Sequence, residues 1–271
     1  MSDELEPEIY TSENISACLD TIILGRRITL HRQVGSTNDL TREAGRRGEP
    51  EGLVVLTEEQ VAGRGRLGRT WAAPPGCCVL CSVLLRPRFA THHAFYLTIA
   101  AALAIYRTVL HFQRGAEGPQ DKVSIKWPND VRIGGRKVAG ILCESEFGGE
   151  GWSFAVVGFG INANLQPEQL GELRSPATSL SMELGAPVDR TQLLCRVLAE
   201  LEAIYISLQN GQFGPIHSQW AAALDTLGKR VSVQDGTTTI EGYALRVDPG
   251  GALVIRLDSG EEKRVLAGDV V

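Results

Sequence analysis

Apolar positions along the chain follow two periods, and the switch between them predicts the elements. Leu53-Val54-Val55-Leu56-Thr57 and Cys78–Leu85 are apolar runs of strand length, as strands buried on both faces require. Leu193, Leu194, Val197, Leu198, Leu201, Ile204, Tyr205 and Leu208 keep helical spacing over several turns. Ser36-Thr37-Asn38 offers caps for a helix to about Arg47, closed by Gly48. The apolar stretch Ala94–Tyr106 ends at Arg107, short of the roughly 20 residues a membrane span needs, and predicts a core helix from about His92 to Phe112. Gly134-Gly135 centres a tight hairpin between Val131 and Val138, and Gly148-Gly149-Glu150-Gly151 links Ile141–Phe147 to a strand over Ser153–Gly158.

After about Leu224 the texture changes. Short strands over Lys229–Gln234, Thr237–Val247, Ala252–Asp258 and Glu261–Leu266 are separated by Asp235-Gly236, Pro249-Gly250-Gly251 and Ser259-Gly260. Such spacing predicts a small β-barrel of roughly 45 residues. The organisation expected is a polar leader over 1–23, an α/β domain over 24–224 and the β domain over 225–271.

Composition narrows the class. The 271 residues carry 27 Lys+Arg against 32 Asp+Glu, a net charge of −5, with 43% hydrophobic residues. Disordered and collagen-like chains are excluded, and a globally basic nucleic-acid binder is disfavoured. The acidic start Met1–Glu8 has no apolar core of a secretory signal. Among the cysteines, Cys18, Cys77, Cys78, Cys81, Cys143 and Cys195, the Cys78/Cys81 pair lies in an apolar strand with no second pair to complete a zinc site. Buried reduced thiols and a cytoplasmic location are expected.

Candidate chemistry sits in four segments. Gly63-Arg64-Gly65-Arg66-Leu67-Gly68-Arg69 alternates guanidinium forks with glycines that let backbone N–H groups approach an anion. It is neither a Walker loop nor a dinucleotide fingerprint, and a solvated basic loop or an RGG-like nucleic-acid segment stays open at this point. Lys126-Trp127-Pro128-Asn129-Asp130 puts an amide and a carboxylate at a strand end, suited to nucleotide hydroxyls or a magnesium ion, or to a plain turn. Lys137 begins an apolar strand, and Gly158-Phe159-Gly160-Ile161-Asn162-Ala163-Asn164 pairs strand glycines with asparagines.

In this order, and with Gly35-Ser36-Thr37-Asn38 and Gln60, these segments resemble the biotin–protein ligase family from about residue 24 to the C-terminus. The resemblance implies an α+β fold: a mixed sheet with flanking helices, like the class II aminoacyl-tRNA synthetase catalytic domain, plus a C-terminal SH3-like barrel. It implies biotinyl-5′-AMP formation from biotin and ATP with Mg2+, then transfer to a lysine of a biotin carboxyl carrier domain. Ser36, Thr37, Asn38, Gln60, Gly63, Arg64, Gly65 and Gly140 fall on the biotin side. Arg66 and Lys137 fall at the carboxylate and α-phosphate. Arg69, Trp71, Asn129, Asp130 and Asn162 fall on the nucleotide side, with Asp130 also the magnesium ligand and the group that assists the carrier lysine. Leu67 departs from the arginine many relatives have. The chain fits the ligase-only form without a DNA-binding domain, with no nucleic-acid or membrane partner, and a homodimer through the sheet edge is left open. Residues 60–71 are expected to be mobile without ligand. A lipoate or octanoate ligase or transferase is the nearest rival, and a non-catalytic nucleic-acid or regulatory module using the arginine loop the rival of another class.

Overall fold

The computed structural model describes residues 10–71, 73–115, 121–149, 151–169, 176–235 and 238–270. Seven strands form the larger sheet: β1 (Arg27–Val34), β2 (Leu53–Gln60), β3 (Cys78–Leu85), β4 (Val123–Lys126), β5 (Asp130–Ile133), β6 (Arg136–Gly148) and β7 (Gly151–Asn162). Their order is β1-β2-β3-β7-β6-β5-β4. Only β1 and β2 run parallel; every other neighbour is antiparallel, so the sheet is mixed.

Alternation along β2, β3 and β7 sorts side chains to two faces. Val54, Leu56, Val79, Val83, Val157 and Ile161 join the main core beneath α3 (Tyr96–Arg114) and α5 (Arg190–Gln209), the latter preceded by the short α4 (Leu180–Leu184). Leu53, Val55, Leu84, Phe154 and Val156 pack on the other face against Ala44 of α2 (Thr37–Arg46). Both faces are covered, which is why β3 reads as an unbroken apolar run. With the turn before it, α3 is long and apolar enough to span a membrane, longer than its apolar stretch alone suggests. Its burial against the sheet and α5 is that of a core helix.

The expected polar leader departs from the pattern over its described part. Thr11 caps a helix, α1 (Ser12–Cys18), whose Ile15 is buried against α5. Glu202 of α5 then accepts the N–H groups of Ile22, Ile23 and Leu24, each at 2.7 Å, which fixes the approach to β1. The reduced-thiol expectation also needs correction: Cys18 and Cys195 are joined by a disulfide across 177 residues, a pairing no local spacing could announce. Cys78 and Cys81 are free and buried, as expected.

Strands β8 (Arg230–Asp235), β9 (Thr238–Val247), β10 (Leu253–Arg256), β11 (Glu262–Val265) and β12 (Asp269–Val270) form a second, antiparallel sheet, ordered β11-β10-β9-β8-β12. Its 248–251 turn docks on the first unit. The Trp127 indole donates to Gly251 O at 2.9 Å, and the Tyr96 hydroxyl to Pro249 O at 2.9 Å. Gly251 has φ +84°, and a Cβ there would lie 2.1 Å from the Phe95 ring, so glycine is required at this joint.

Candidate active site

On the α2 face of the sheet, three glycines replace side chains. Gly140 of β6 lies opposite Gly160 of β7, and Gly158 is two residues along β7 from Gly160, opposite Leu142. A Cβ at Gly158 would fall 1.9 Å from Asn38 Oδ1; one at Gly160 would fall 2.5 Å from the Trp71 ring. The floor is therefore bare backbone, and a cleft of ≈ 120 Å³ lies over it.

One end of the cleft is neutral and buried. Gln60 Oε1 accepts the Thr37 N–H at 2.8 Å, Ser82 Oγ donates to Asn38 Oδ1 at 2.6 Å, and Thr37 Oγ1 lies 2.7 Å from Ser82 Oγ. A hydroxyl has one proton, so Ser82 shares its own between Asn38 Oδ1 and Thr37 Oγ1, while Thr37 Oγ1 donates to Gln60 Oε1 at 3.2 Å. Asn38 Nδ2 donates to Leu142 O at 3.2 Å and Glu144 at 2.6 Å. Ser36, Thr37 and Asn38 are buried at the start of α2, and Ser36 stands at its N-cap.

The other end is cationic. The arginine loop is a miniature hairpin, bridged between Arg64 and Thr70, with a single 3-10 turn over Arg66–Gly68. Leu67 at φ 56° and Gly68 at φ 71° reverse the chain, and Leu67 is left exposed. Gly63 closes the base: its carbonyl accepts the Trp71 N–H at 2.9 Å, and a Cβ would lie 2.4 Å from Trp71 O. Arg66 donates to Asn129 Oδ1 at 3.2 Å and to Gly268 O at 3.4 Å, while Asn129 Nδ2 holds Ile141 O at 2.7 Å. Burial lowers the Arg66 pKa, with Asp130 and Asp269 opposing. Lys137 Nζ pairs with Asp130 Oδ1 at 2.7 Å and lies 5.2 Å from the Trp71 ring centre. Arg69 pairs with Asp269. Burial works against ionisation of Asp269, but Arg69, Lys126 and Arg66 together hold its carboxyl below the usual range.

Of the expected residues, Ser36, Thr37, Asn38, Gln60, Arg64, Gly65, Arg66, Arg69, Trp71, Asn129, Asp130, Lys137 and Gly140 all border this one cleft. Three residues stand differently from the rest. Gly63 shapes the loop base and is not part of the lining. Asn162 is also outside the lining; its buried amide donates to Thr178 O at 2.9 Å. Arg64 reaches the rim, but its guanidinium is clamped by Asp39 at 2.7 and 2.5 Å. The hydrogen bond from Arg64 is what chiefly depresses the Asp39 pKa. Gly268 and Asp269 line the cleft, Ser82 and Asp39 hold residues that do, and the sequence analysis singled out none of the four. Ser82 could have been suspected as the polar position inside an apolar strand.

The cleft joins donors suited to a neutral polar head group to three cations suited to a carboxylate beside a phosphate. Residues 30–162 match the model of the "Biotin/lipoate A/B protein ligase family", and residues 226–271 that of the "Biotin protein ligase C terminal domain". The chain is 36% identical over 250 residues to the biotin–[acetyl-CoA-carboxylase] ligase of Mycobacterium tuberculosis, covering 91% of this chain and 89% of that protein. It is 30% identical over 266 residues to the bifunctional ligase/repressor BirA of Bacillus subtilis, covering 98% of this chain and 80% of that protein. A solved biotin protein ligase from Aquifex aeolicus, in complex with biotin and ATP, superposes with a TM-score of 0.71 at 25% identity, over 91% of this chain and 98% of that one.

Proposed function

The chain belongs to the biotin protein ligase family, and on that premise we propose that it joins biotin to a lysine of a biotin carboxyl carrier domain at the expense of ATP. The observation that carries this is the pairing, in one cleft, of Gln60, Thr37 and Asn38, the last two backed by Ser82, with Arg66, Arg69 and Lys137.

A free carboxylate resists attack by an amine, so activation comes first. A biotin carboxylate oxygen attacks the α-phosphorus of ATP, pyrophosphate leaves, and biotinyl-5′-AMP remains. Two anions must meet, and Arg66 and Lys137 offset their repulsion where charge grows. The carrier amine then attacks the acyl carbon and AMP departs. That amine must lose a proton from a group whose free pKa is about 10.4; Asp130, at the cationic end, is the residue assigned to assist. The described residues hold no cluster of three metal-binding side chains. This donor set fits magnesium carried on the triphosphate, with Asp130 as its protein carboxylate.

The same reading takes the first unit as class II synthetase-like, the second sheet as an SH3-like barrel, and the cytoplasm as the compartment where ATP is supplied. A cleft of ≈ 120 Å³ with Trp71 on the glycine floor is smaller than the ~300 Å³ at which ligand pockets begin, so the loop opens to admit substrate. Hydrogen exchange in residues 60–71 should slow on adding biotin and ATP. The deciding experiment is incorporation of labelled biotin into a carrier domain with MgATP, with lipoate in a parallel arm. Labelling by biotin alone is expected; no biotin transfer, or preference for lipoate, overturns the proposal.

A further inference from the structure

Helix α2 and strand β6 meet along matched rows. Four helical residues rise about 6.0 Å and two strand residues about 6.6 Å, so every fourth position of the helix faces every second position of the strand. Asn38, Arg42 and Arg46 form the helical row, and Leu142, Glu144 and Glu146 the strand row. The contacts follow that order. Asn38 Nδ2 donates to Leu142 O at 3.2 Å and to Glu144 Oε2 at 2.6 Å. Arg42 pairs with the other Glu144 oxygen, and Arg46 Nε donates to Glu146 at 2.9 Å. The Arg46–Glu146 pair ends at the surface, whereas Glu144 reaches the cleft lining through Asn38.

An amide side chain has two ends of similar shape and opposite hydrogen-bonding sense. Both Asn38 protons are taken by Leu142 O and Glu144, so Oδ1 turns to Ser82 Oγ and lies over the bare Gly158 backbone. Reversing the amide would set its oxygen against a carbonyl and a carboxylate. The charged acceptor is the stronger of the two, and Arg42 balances its charge. Resting on the biotin-binding reading above, we propose that Glu144 is a positioning residue for biotin: it locks the Asn38 amide in the sense that presents an acceptor to the cleft. One lone pair of Oδ1 takes the Ser82 proton, and the second is left for a ligand N–H, which the ureido ring of biotin carries. Glu144 itself is not part of the lining, so it acts through Asn38 alone.

The test uses the full chain and the variants Glu144→Ala, Glu144→Gln, Ser82→Ala and the double alanine variant. Biotin and MgATP binding are measured separately by calorimetry. Glu144→Ala is expected to weaken biotin about tenfold and to leave MgATP within twofold of wild type, which also shows that the variant is folded. Glu144→Gln keeps an acceptor for Asn38 and should recover part of the loss. The double variant should lose less than the product of the two single losses, because both residues act on one amide. In ligand-free protein, NMR follows the Asn38 carboxamide protons, identified by their disappearance in Asn38→Asp. Their exchange with solvent should be about tenfold faster in Glu144→Ala, the loss of one charge-assisted hydrogen bond. Unchanged exchange, equal losses for biotin and MgATP, losses that multiply, or biotin affinity within twofold of wild type in Glu144→Ala would each overturn the positioning role. The exchange measurement needs no biotin. Glu144-dependent protection in a wild-type protein that binds no biotin would keep the lock on Asn38 and discard the ligase reading.

Discussion

The two ends of the cleft are built on opposite principles. At the neutral end, Thr37, Asn38, Gln60 and Ser82 are linked by hydrogen bonds among themselves, and all but Gln60 are nearly inaccessible to water. At the charged end, Lys137 and Arg69 are paired with Asp130 and Asp269 and remain partly exposed. The neutral end resembles a finished mould, because a buried polar group left without a partner costs about 1–3 kcal/mol. The charged end holds its cations with internal counter-ions until an incoming anion shares or displaces them. Shape is thus fixed on one side, and charge is kept available on the other.

The largest break in this contrast should come from the cations. Lys137→Ala or Arg66→Ala removes charge stabilisation worth about 3–4 kcal/mol, so adenylation should fall roughly 10²–10³-fold. Activity within twofold of wild type in a pyrophosphate-release assay would show that these charges do not act on the reacting atoms. Next is the mould. Gly158→Ala places a methyl group against Asn38, which its hydrogen bonds hold in place. Overpacking of this kind costs about 1–3 kcal/mol, and both the Tm and biotin affinity should drop, with ATP affinity spared. Ser82→Ala is milder: the Asn38 carbonyl loses its donor, and biotin should bind about tenfold more weakly by calorimetry, the ~1.4 kcal/mol of one buried hydrogen bond.

The smallest effect belongs to the rim. The Arg64–Asp39 pair is exposed and worth about 0.2–1 kcal/mol. Asp39 has a depressed pKa in the folded state, so its contribution is present above the ordinary carboxylate range and disappears as pH falls through the folded value. Chemical denaturation of wild type and Asp39→Asn should differ slightly at pH 7 and converge below about pH 4. A constant gap across that range would show that the pair does not titrate as described.

Much of the larger sheet was legible, because its strands carry their burial on their sleeves: β3 is apolar throughout, and the Gly134-Gly135 hairpin closes where its dipeptide stands. The arginine loop could be located by composition alone. What could not be read was partner choice. Arg64, Arg66 and Arg69 look alike in sequence, yet they face Asp39, Asn129 and Asp269 respectively. Those partners come from a helix, a turn and the last strand, and only the folded geometry assigns them. The partner of Asn162 was equally hidden: its buried amide donates to Thr178 O, across a stretch of chain that no spacing rule connects. The Cys18–Cys195 link joins helices distant in sequence, so the cysteine pattern carries no trace of it.

Among the four tryptophans, Trp127 and Trp220 are sealed in the core, and Trp152 packs on the Phe89 ring and donates its indole N–H to Phe89 O. Trp71 alone borders the cleft, with its indole N–H buried and unpartnered beside Gly160 and its ring near the Lys137 ammonium. Indole emission responds to polarity and to nearby charge, so the protein carries its own optical gauge of occupancy. Any spectral change on adding a ligand should originate at Trp71, and a Trp71→Phe variant should be silent to the same titration.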